Sequence, residues 1–327
     1  MSLNPSARTR RHQPPPKPQS GWSPWSSLPF ECRLSARSLR ETLDGGQAFR
    51  WHREPGETDT WIGQWTGHVA RLRPYGEGEL QWSAPAGHET STAEALRRYL
   101  DADRDCAALT DALPWRSDPP LAEAIAAFPG LRILRQPLGE TLLAFLCSAT
   151  KQIPQIKTML ANLAAGLGAP APEHRKRLPS WEVLARVPET ELRACGLGFR
   201  ARHIKNTATV LSGDPGWEKR IEALPYPEAK QDLLRLPGVG EKVADCVLLF
   251  GAGRMEAFPV DTWILKVMQQ LYGLDGWSPS QIALFGRRHF GPSAGLAQQY
   301  LFAWIREQNR AAKTRVSARE QETQKSK

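Results

Sequence analysis

The chain has 327 residues, 41% of them hydrophobic and 24% charged, with a formal net charge of +9. No stretch approaches 18 uncharged apolar residues, which argues against a membrane-spanning helix, and no secretory apolar segment stands near the start. Nearly all of the positive excess is terminal: residues 1–20 carry four basic and no acidic side chains, and residues 310–327 carry six basic and two acidic. A polyanion-binding surface on the central part must therefore come from local arrangement. Cys32, Cys106, Cys147, Cys195 and Cys246 are widely spaced, with no CxxC. That pattern fits reduced thiols inside a cell rather than a disulfide framework or a zinc finger.

Residues 1–20 are Pro-rich, basic and without apolar periodicity, and read as a disordered tail. From 21 to 115 the texture is β. "QAFRWHRE" and "TWIGQWTGHVARLRP" alternate in part, with Trp51, Trp61, Trp65, Val69 and Leu72 as candidate inward residues. "TAEALRRYLDA" reads as a helix with Thr92 near its N-cap. An antiparallel sheet with one or two packed helices is the simplest domain here. From 116 to 309 short apolar-periodic stretches are punctuated by Gly or Pro, as in "LGETLLAFLCSA", "IPQIKTMLANLAAGLG", "RARHIKNTATVLSG" and "DTWILKVMQQLYG". The fold class is thus α+β, a sheet domain followed by an all-α domain. Residues 310–327 read as a second disordered basic tail.

"LRLPGVGEKVADC" (Leu234–Cys246) joins two of these helical stretches. Pro237 restrains the turn, while Gly238 and Gly240 permit positive φ. The exposed amides of Gly238, Val239 and Gly240, with the N-terminus of the following helix, make a cradle for a phosphate. Lys242 falls in the first turn of that helix, where the dipole is positive and disfavours an ammonium. A neutral amine there is a nucleophile. Cys246, four residues on, shares its helix face. In "FPVDTWILKV", Asp261 stands at an N-cap position. A capping carboxylate kept ionised near a positive helix end suits a developing oxocarbenium ion.

Lys242 and Asp261, nineteen residues apart around this hairpin, resemble the helix–hairpin–helix DNA glycosylases. "GGQAFRW" (Gly45–Trp51), "LGFRARHI" (Leu197–Ile204), "LPGVGEKVADC" and "AGLAQQYLF" (Ala294–Phe302) narrow the likeness to the 8-oxoguanine DNA glycosylase/AP lyase family. The resemblance covers roughly residues 21–309 and makes the all-α part a helix–hairpin–helix glycosylase domain. It implies a damaged base flipped out of duplex DNA, Lys242 attacking C1′ to expel it, and a Schiff base that permits β-elimination. Asp261 would stabilise charge at the sugar and help deprotonate Lys242. The carbonyl of Gly46 would accept N7–H of 8-oxoguanine, Phe302 and Cys246 would sandwich the purine, and Gln298 would meet its Watson–Crick edge. Phe199 would fill the vacated stack, Arg200 would contact the orphaned cytosine, and Arg202, His203 and Lys205 would offer charge to phosphates. The chemistry needs no metal or organic cofactor. The implied protein is a monomer acting on damaged double-stranded DNA, intracellular and away from membranes.

Three positions depart from the family's usual pattern. In "SATKQIPQI", Thr150, Lys151 and Gln152 replace an Asn-rich turn that enters the gap left by the flipped base. Gln155 stands where an arginine often meets the cytosine, and Trp263 replaces a histidine that contacts phosphate. Endonuclease III-type relatives hold an iron–sulfur cluster on four cysteines after the aspartate, and this chain has none beyond Cys246. A non-catalytic hairpin scaffold would need neither Lys242 nor Asp261.

Overall fold

The computed structural model describes residues 21–325, with side chains through Ala311. The tail over residues 1–20 lies outside the described residues. The first part builds β1 (Ser26–Ser27), α1 (Ala36–Asp44), β2 (Trp51–Arg53), β3 (Trp61–Trp65), β4 (His68–Tyr75), β5 (Glu79–Ser83) and α2 (Glu89–Tyr99). The strands form one antiparallel sheet in the order β1-β5-β4-β3-β2. Trp51, Trp61, Trp65 and Leu72 are all buried in the sheet's main core, whereas Val69 packs with Trp22 and Ile62 in a separate small cluster. Alternation sends neighbouring residues to opposite faces, which explains the split.

Gly63 on β3 leaves room for this core: a Cβ there would lie 2.2 Å from the Trp51 indole. Gly63→Ala should therefore destabilise by about 1–3 kcal/mol through overpacking. Thermal melts followed by circular dichroism check this, and an unchanged Tm would contradict the packing.

Helices then follow as α3 (Cys106–Asp111), α4 (Pro119–Ala127), α5 (Leu138–Leu146), α6 (Ile153–Leu167), α7 (Trp181–Arg186) and α8 (Glu189–Leu192). Next come α9 (Arg200–Ser212), α10 (Trp217–Ala223), α11 (Tyr226–Leu234), α12 (Glu241–Phe250), α13 (Thr262–Tyr272), α14 (Pro279–Phe290) and α15 (Ala294–Lys325). Their apolar faces merge in one core that also takes Phe49 and Leu113. Leu134, conversely, packs into the core of the sheet.

Two expectations are corrected here. Thr92 is not a cap: α2 starts at Glu89, and Thr92 is buried inside it with its amide bonded to His88 O. The C-terminal tail over 310–327 is helical rather than disordered through Lys325, since α15 runs on unbroken. Residues 306–325 contain neither Gly nor Pro and are rich in Arg, Lys, Ala, Glu and Gln, which favour helix.

Candidate active site

α11, the turn and α12 form the hairpin. Gly238 has φ +82°, and a Cβ there would meet His203 Cβ at 2.7 Å, so α9 leaves no room for a side chain. Thr207 Oγ1 donates to Pro237 O at 2.8 Å, tying the same helix to the turn. Gly240 differs from expectation. Its φ of −103° is ordinary for any residue, and a Cβ would meet nothing within 4 Å. It is the exposed N-cap of α12, where a missing side chain leaves the helix N-terminus open. Val239 is buried, and its amide donates inward to Leu236 O at 3.1 Å rather than outward. The exposed backbone of the turn thus lies at Gly238, Gly240 and the first turn of α12.

Lys242 stands in that first turn, half-buried. Its Nζ donates to Ser148 Oγ at 3.2 Å and lies 4.9 Å from the centroid of Phe145. The loop after α5 therefore forms one wall of the site. Asp261 caps α13, accepting from Trp263 N at 3.0 Å and Ile264 N at 2.9 Å. Burial pushes its carboxyl above the ordinary range, against the pull of the Ile264 amide, Lys242, the Trp263 amide and Arg306. Sequence reasoning expected the cap to keep this group readily ionised; desolvation outweighs the cap.

Cys246 follows Lys242 on the same face of α12. Burial pushes its thiol up to about 12, with Lys242 acting the other way, so it is an apolar wall and a poor nucleophile. Across from it, Gly46 has φ +116°, and a Cβ there would lie 3.2 Å from Ile153 and 3.7 Å from Phe302. The turn at Gly45–Gly46 is clamped from α15: Arg306 donates to Gly45 O and, at 2.6 Å, to Glu41, while its guanidinium lies 5.0 Å from the Phe302 ring. Gln298, also on α15, is 3% exposed. Its amide nitrogen donates to Pro259 O at 3.1 Å and its oxygen accepts from Gln299 at 2.8 Å. A base would meet Gln298 only by exchanging those bonds. Lys242 thus stands beside Cys246 and Asp261, and Arg306 links Asp261 to Phe302 and the Gly45–Gly46 turn.

A model of the 8-oxoguanine DNA glycosylase N-terminal domain matches residues 30–142. The HhH-GPD superfamily model of base excision DNA repair proteins matches residues 143–288. An N-glycosylase/DNA lyase of Arabidopsis thaliana is 31% identical over 306 residues, covering 87% of this chain and 81% of the relative. The chain belongs to the 8-oxoguanine DNA glycosylase/AP lyase family. An N-glycosylase/DNA lyase of Saccharomyces cerevisiae is 30% identical over 258 residues, or 72% of this chain and 68% of its own. Among solved structures, the 8-oxoguanine glycosylase/lyase of Clostridium acetobutylicum, in complex with dsDNA containing cytosine opposite 8-oxoG, aligns with a TM-score of 0.77. That match has 30% identity and covers 89% of this chain and 100% of the other. No helix among the described residues is long and apolar enough to cross a membrane.

The DNA-facing expectations of the family fare unevenly. Phe199 is 54% exposed just before α9, as a wedge requires. Arg200 is 3% exposed, donates to Ala149 O and, at 2.9 Å, to Thr150 Oγ1, and lies 4.3 Å from the Phe199 ring. Here it ties the loop to α9, because a buried guanidinium takes the acceptors within reach. Lys205 likewise donates to Ala185 O and, at 2.7 Å, to Val187 O, and His203 packs on Gly238, so of that trio only Arg202 is exposed. Thr150 has φ +55° and Lys151 is exposed beside it. Gln152 caps α6 in a box with Gln155, whose Oε1 accepts from Gln152 N at 3.1 Å. Trp263 packs partly against the helical core.

Sequence reasoning missed Ser148 and Phe145, which touch Lys242 from another helix–loop unit. It also missed a buried group under α12. Asp245, 1% exposed, accepts from Tyr226 Oη at 2.7 Å and from Lys230 Nζ at 3.0 Å. Lys230 also meets Glu241 at 2.6 Å, joining α11 to both turns of α12 around Lys242. A lone acidic residue inside the apolar run "VADCVLLF" was the available signal.

Proposed function

We propose that this chain excises 8-oxoguanine from duplex DNA in base excision repair and then cleaves the strand, acting as a DNA glycosylase and AP lyase. The observation that carries the reading is Lys242 beside Asp261 and Cys246, with Asp261 linked through Arg306 to Phe302 and the Gly45–Gly46 turn. Gly240 and the first turn of α12 grip a phosphate, which sets the extruded sugar against Lys242. Lys242 Nζ attacks C1′ as the bond to the base breaks. Asp261 stabilises positive charge building on the sugar and takes the amine's proton. The C1′–O4′ bond then opens to give the Schiff base, whose iminium acidifies the 2′ C–H; a base takes that proton, and β-elimination expels the 3′ phosphate and breaks the strand. Phe302 and Cys246 flank the purine, Gln298 turns to its edge, and the Gly46 carbonyl accepts N7–H. Guanine would set a lone pair against that carbonyl, an unpaired contact costing about 1–3 kcal/mol. Phe199 fills the gap in the stack while Thr150, Lys151 and Gln152 border it. The protein works as a monomer in the compartment that holds its DNA. Incubation with an 8-oxoguanine:cytosine duplex beside a guanine:cytosine control tests this. Release of the base from the damaged duplex alone is expected; no release from either would contradict it.

Asp261 sets the acid side of the pH profile. Its carboxyl lies above the ordinary range through burial, and the ionised form is the one that acts. Excision should thus fall as pH drops through a value above that of a free carboxylate. Single-turnover rates against pH measure it, and an acid limb within the ordinary carboxylate range would contradict the assignment.

With Arg200 bonded within its loop and Gln155 accepting from Gln152 N at the start of α6, neither residue is set to read the opposite base as strongly as a free arginine would. A good bidentate contact is worth about 1–3 kcal/mol of discrimination. Excision opposite cytosine and opposite the other bases should therefore differ by less than about tenfold. Rates on four duplexes check this, and a strong cytosine preference would show that Arg200 leaves its loop.

A further inference from the structure

Away from the base pocket, a buried cation is held by two thiols. Arg132, 5% exposed, donates through Nη1 to Cys32 Sγ at 2.7 Å and through Nη2 to Cys106 Sγ at 3.0 Å. Both terminal nitrogens are spent on sulfur rather than on a carboxylate. A buried guanidinium so placed draws negative charge onto the groups facing it. The reactive form of a thiol is its thiolate. Burial holds the Cys32 thiol above its ordinary range, and Arg132 offsets only part of that. Cys106 is the more accessible of the two. Both line a cavity of about 710 Å³ with Arg132, Thr110, Trp115 and Tyr300, so a small oxidant can reach them.

We propose that Cys32 and Cys106 form a peroxide-reactive dithiol, closed to a disulfide by hydrogen peroxide and reopened by a dithiol reductant. The Cys106 thiolate attacks one peroxide oxygen, the O–O bond breaks, and the departing hydroxide takes a proton to become water. Cys106 is left as a sulfenic acid. Cys32 sulfur then attacks Cys106 sulfur; the S–S bond forms, the S–O bond breaks, and the hydroxyl leaves as water with the Cys32 proton. The two sulfurs together lose two electrons, and the peroxide is reduced to two waters.

Closure removes both acceptors from Arg132, and that residue is tied to the base pocket. Its backbone oxygen accepts from Gln47 Nε2 at 3.0 Å, and Leu134 N donates to Gln47 Oε1 at 2.9 Å. Gln47 directly follows Gly46. On the other side, Thr110 Oγ1 donates to Cys106 O at 2.8 Å and meets the Tyr300 hydroxyl at 3.2 Å, on α15 between Gln298 and Phe302. Oxidation therefore shifts the Gly46 carbonyl and slows excision, a consequence that rests on the function proposed above.

The test treats the full-length protein with hydrogen peroxide, blocks remaining thiols with an alkylating agent, and maps linked peptides by mass spectrometry. Excision of 8-oxoguanine is timed in parallel, before and after dithiothreitol. A Cys32–Cys106 link is expected, with excision reduced several-fold and restored by the reductant. Cys106→Ser, with Cys32→Ser as a second variant, leaves a hydroxyl to accept from Arg132 and should keep the basal rate, form no link and resist the loss. Oxidation of the partly exposed Cys195 without any Cys32–Cys106 link would overturn the dithiol. A link that leaves excision unchanged would overturn its coupling to Gly46. A protein that links these cysteines but never excises the base would instead overturn the function, leaving the dithiol standing.

Discussion

Lys242→Gln should lower excision of 8-oxoguanine by at least about a thousandfold, the scale on which nucleophiles are lost, while leaving duplex binding within a few-fold. Glutamine stays polar on the same helix face, one atom shorter than lysine and without its charge. It carries no amine to attack C1′ or to form a Schiff base, so no stage of the proposed chemistry survives. In the proposed chemistry, binding rests mainly on other groups: the open N-terminus of α12 at Gly240, Phe199 and the loop over residues 148–152. Single-turnover kinetics together with a gel-shift titration separate the two effects. Parallel loss of binding and excision would move Lys242 from chemistry to structure.

Gly46→Ala should cost about 10- to 100-fold in kcat/KM on 8-oxoguanine and narrow its margin over guanine. At φ +116° a side chain is strained whatever space surrounds it, by about 1–3 kcal/mol. The added Cβ also presses on Ile153 at 3.2 Å, and Phe302 is next at 3.7 Å. The backbone relieves both by rotating, which swings the carbonyl proposed to read N7–H. Each 1.4 kcal/mol is about tenfold in rate. Kinetics on 8-oxoguanine and guanine duplexes read the margin directly. A variant with reduced rate but unchanged selectivity would show that another group makes the distinction.

Much of this architecture was legible in the sequence because its signals are local. Apolar residues three and four apart marked α5, α6, α9, α11, α12 and α13, and the Pro-Gly-x-Gly turn marked the hairpin. α3, α4, α10 and α14 were not singled out; two begin with Pro, and α3 and α10 are only 6 and 7 residues long. α14 carries a capping box at Ser278 and Gln281, a signal that was present and overlooked. The extension of α15 was masked by charge, which resembles a tail until helix propensity is counted.

The site was legible as a set of residues and less so as a set of contacts. Lys242 and Asp261 follow from position alone, since a helix N-terminus and an N-cap are sequence features. What surrounds them is not. Ser148 and Phe145 reach Lys242 across 94 and 97 residues of chain. The inward amide of Val239 depends on how tightly the turn closes on Leu236. The family resemblance alone pointed to Arg200 as a base contact. Only the fold reveals that Ala149 and Thr150 are close enough to take it. The carboxyl of Asp261 depends on burial, which capping geometry does not report.

In the proposed chemistry Lys242 bonds to the sugar. The direct measurement is reduction with sodium borohydride during reaction on an 8-oxoguanine:cytosine duplex, followed by mass-spectrometric mapping of the cross-linked residue. The account predicts a covalent adduct at Lys242, formed with the damaged duplex and absent with guanine:cytosine. An adduct on another amine, or base release from the damaged strand with no adduct at all, would contradict it.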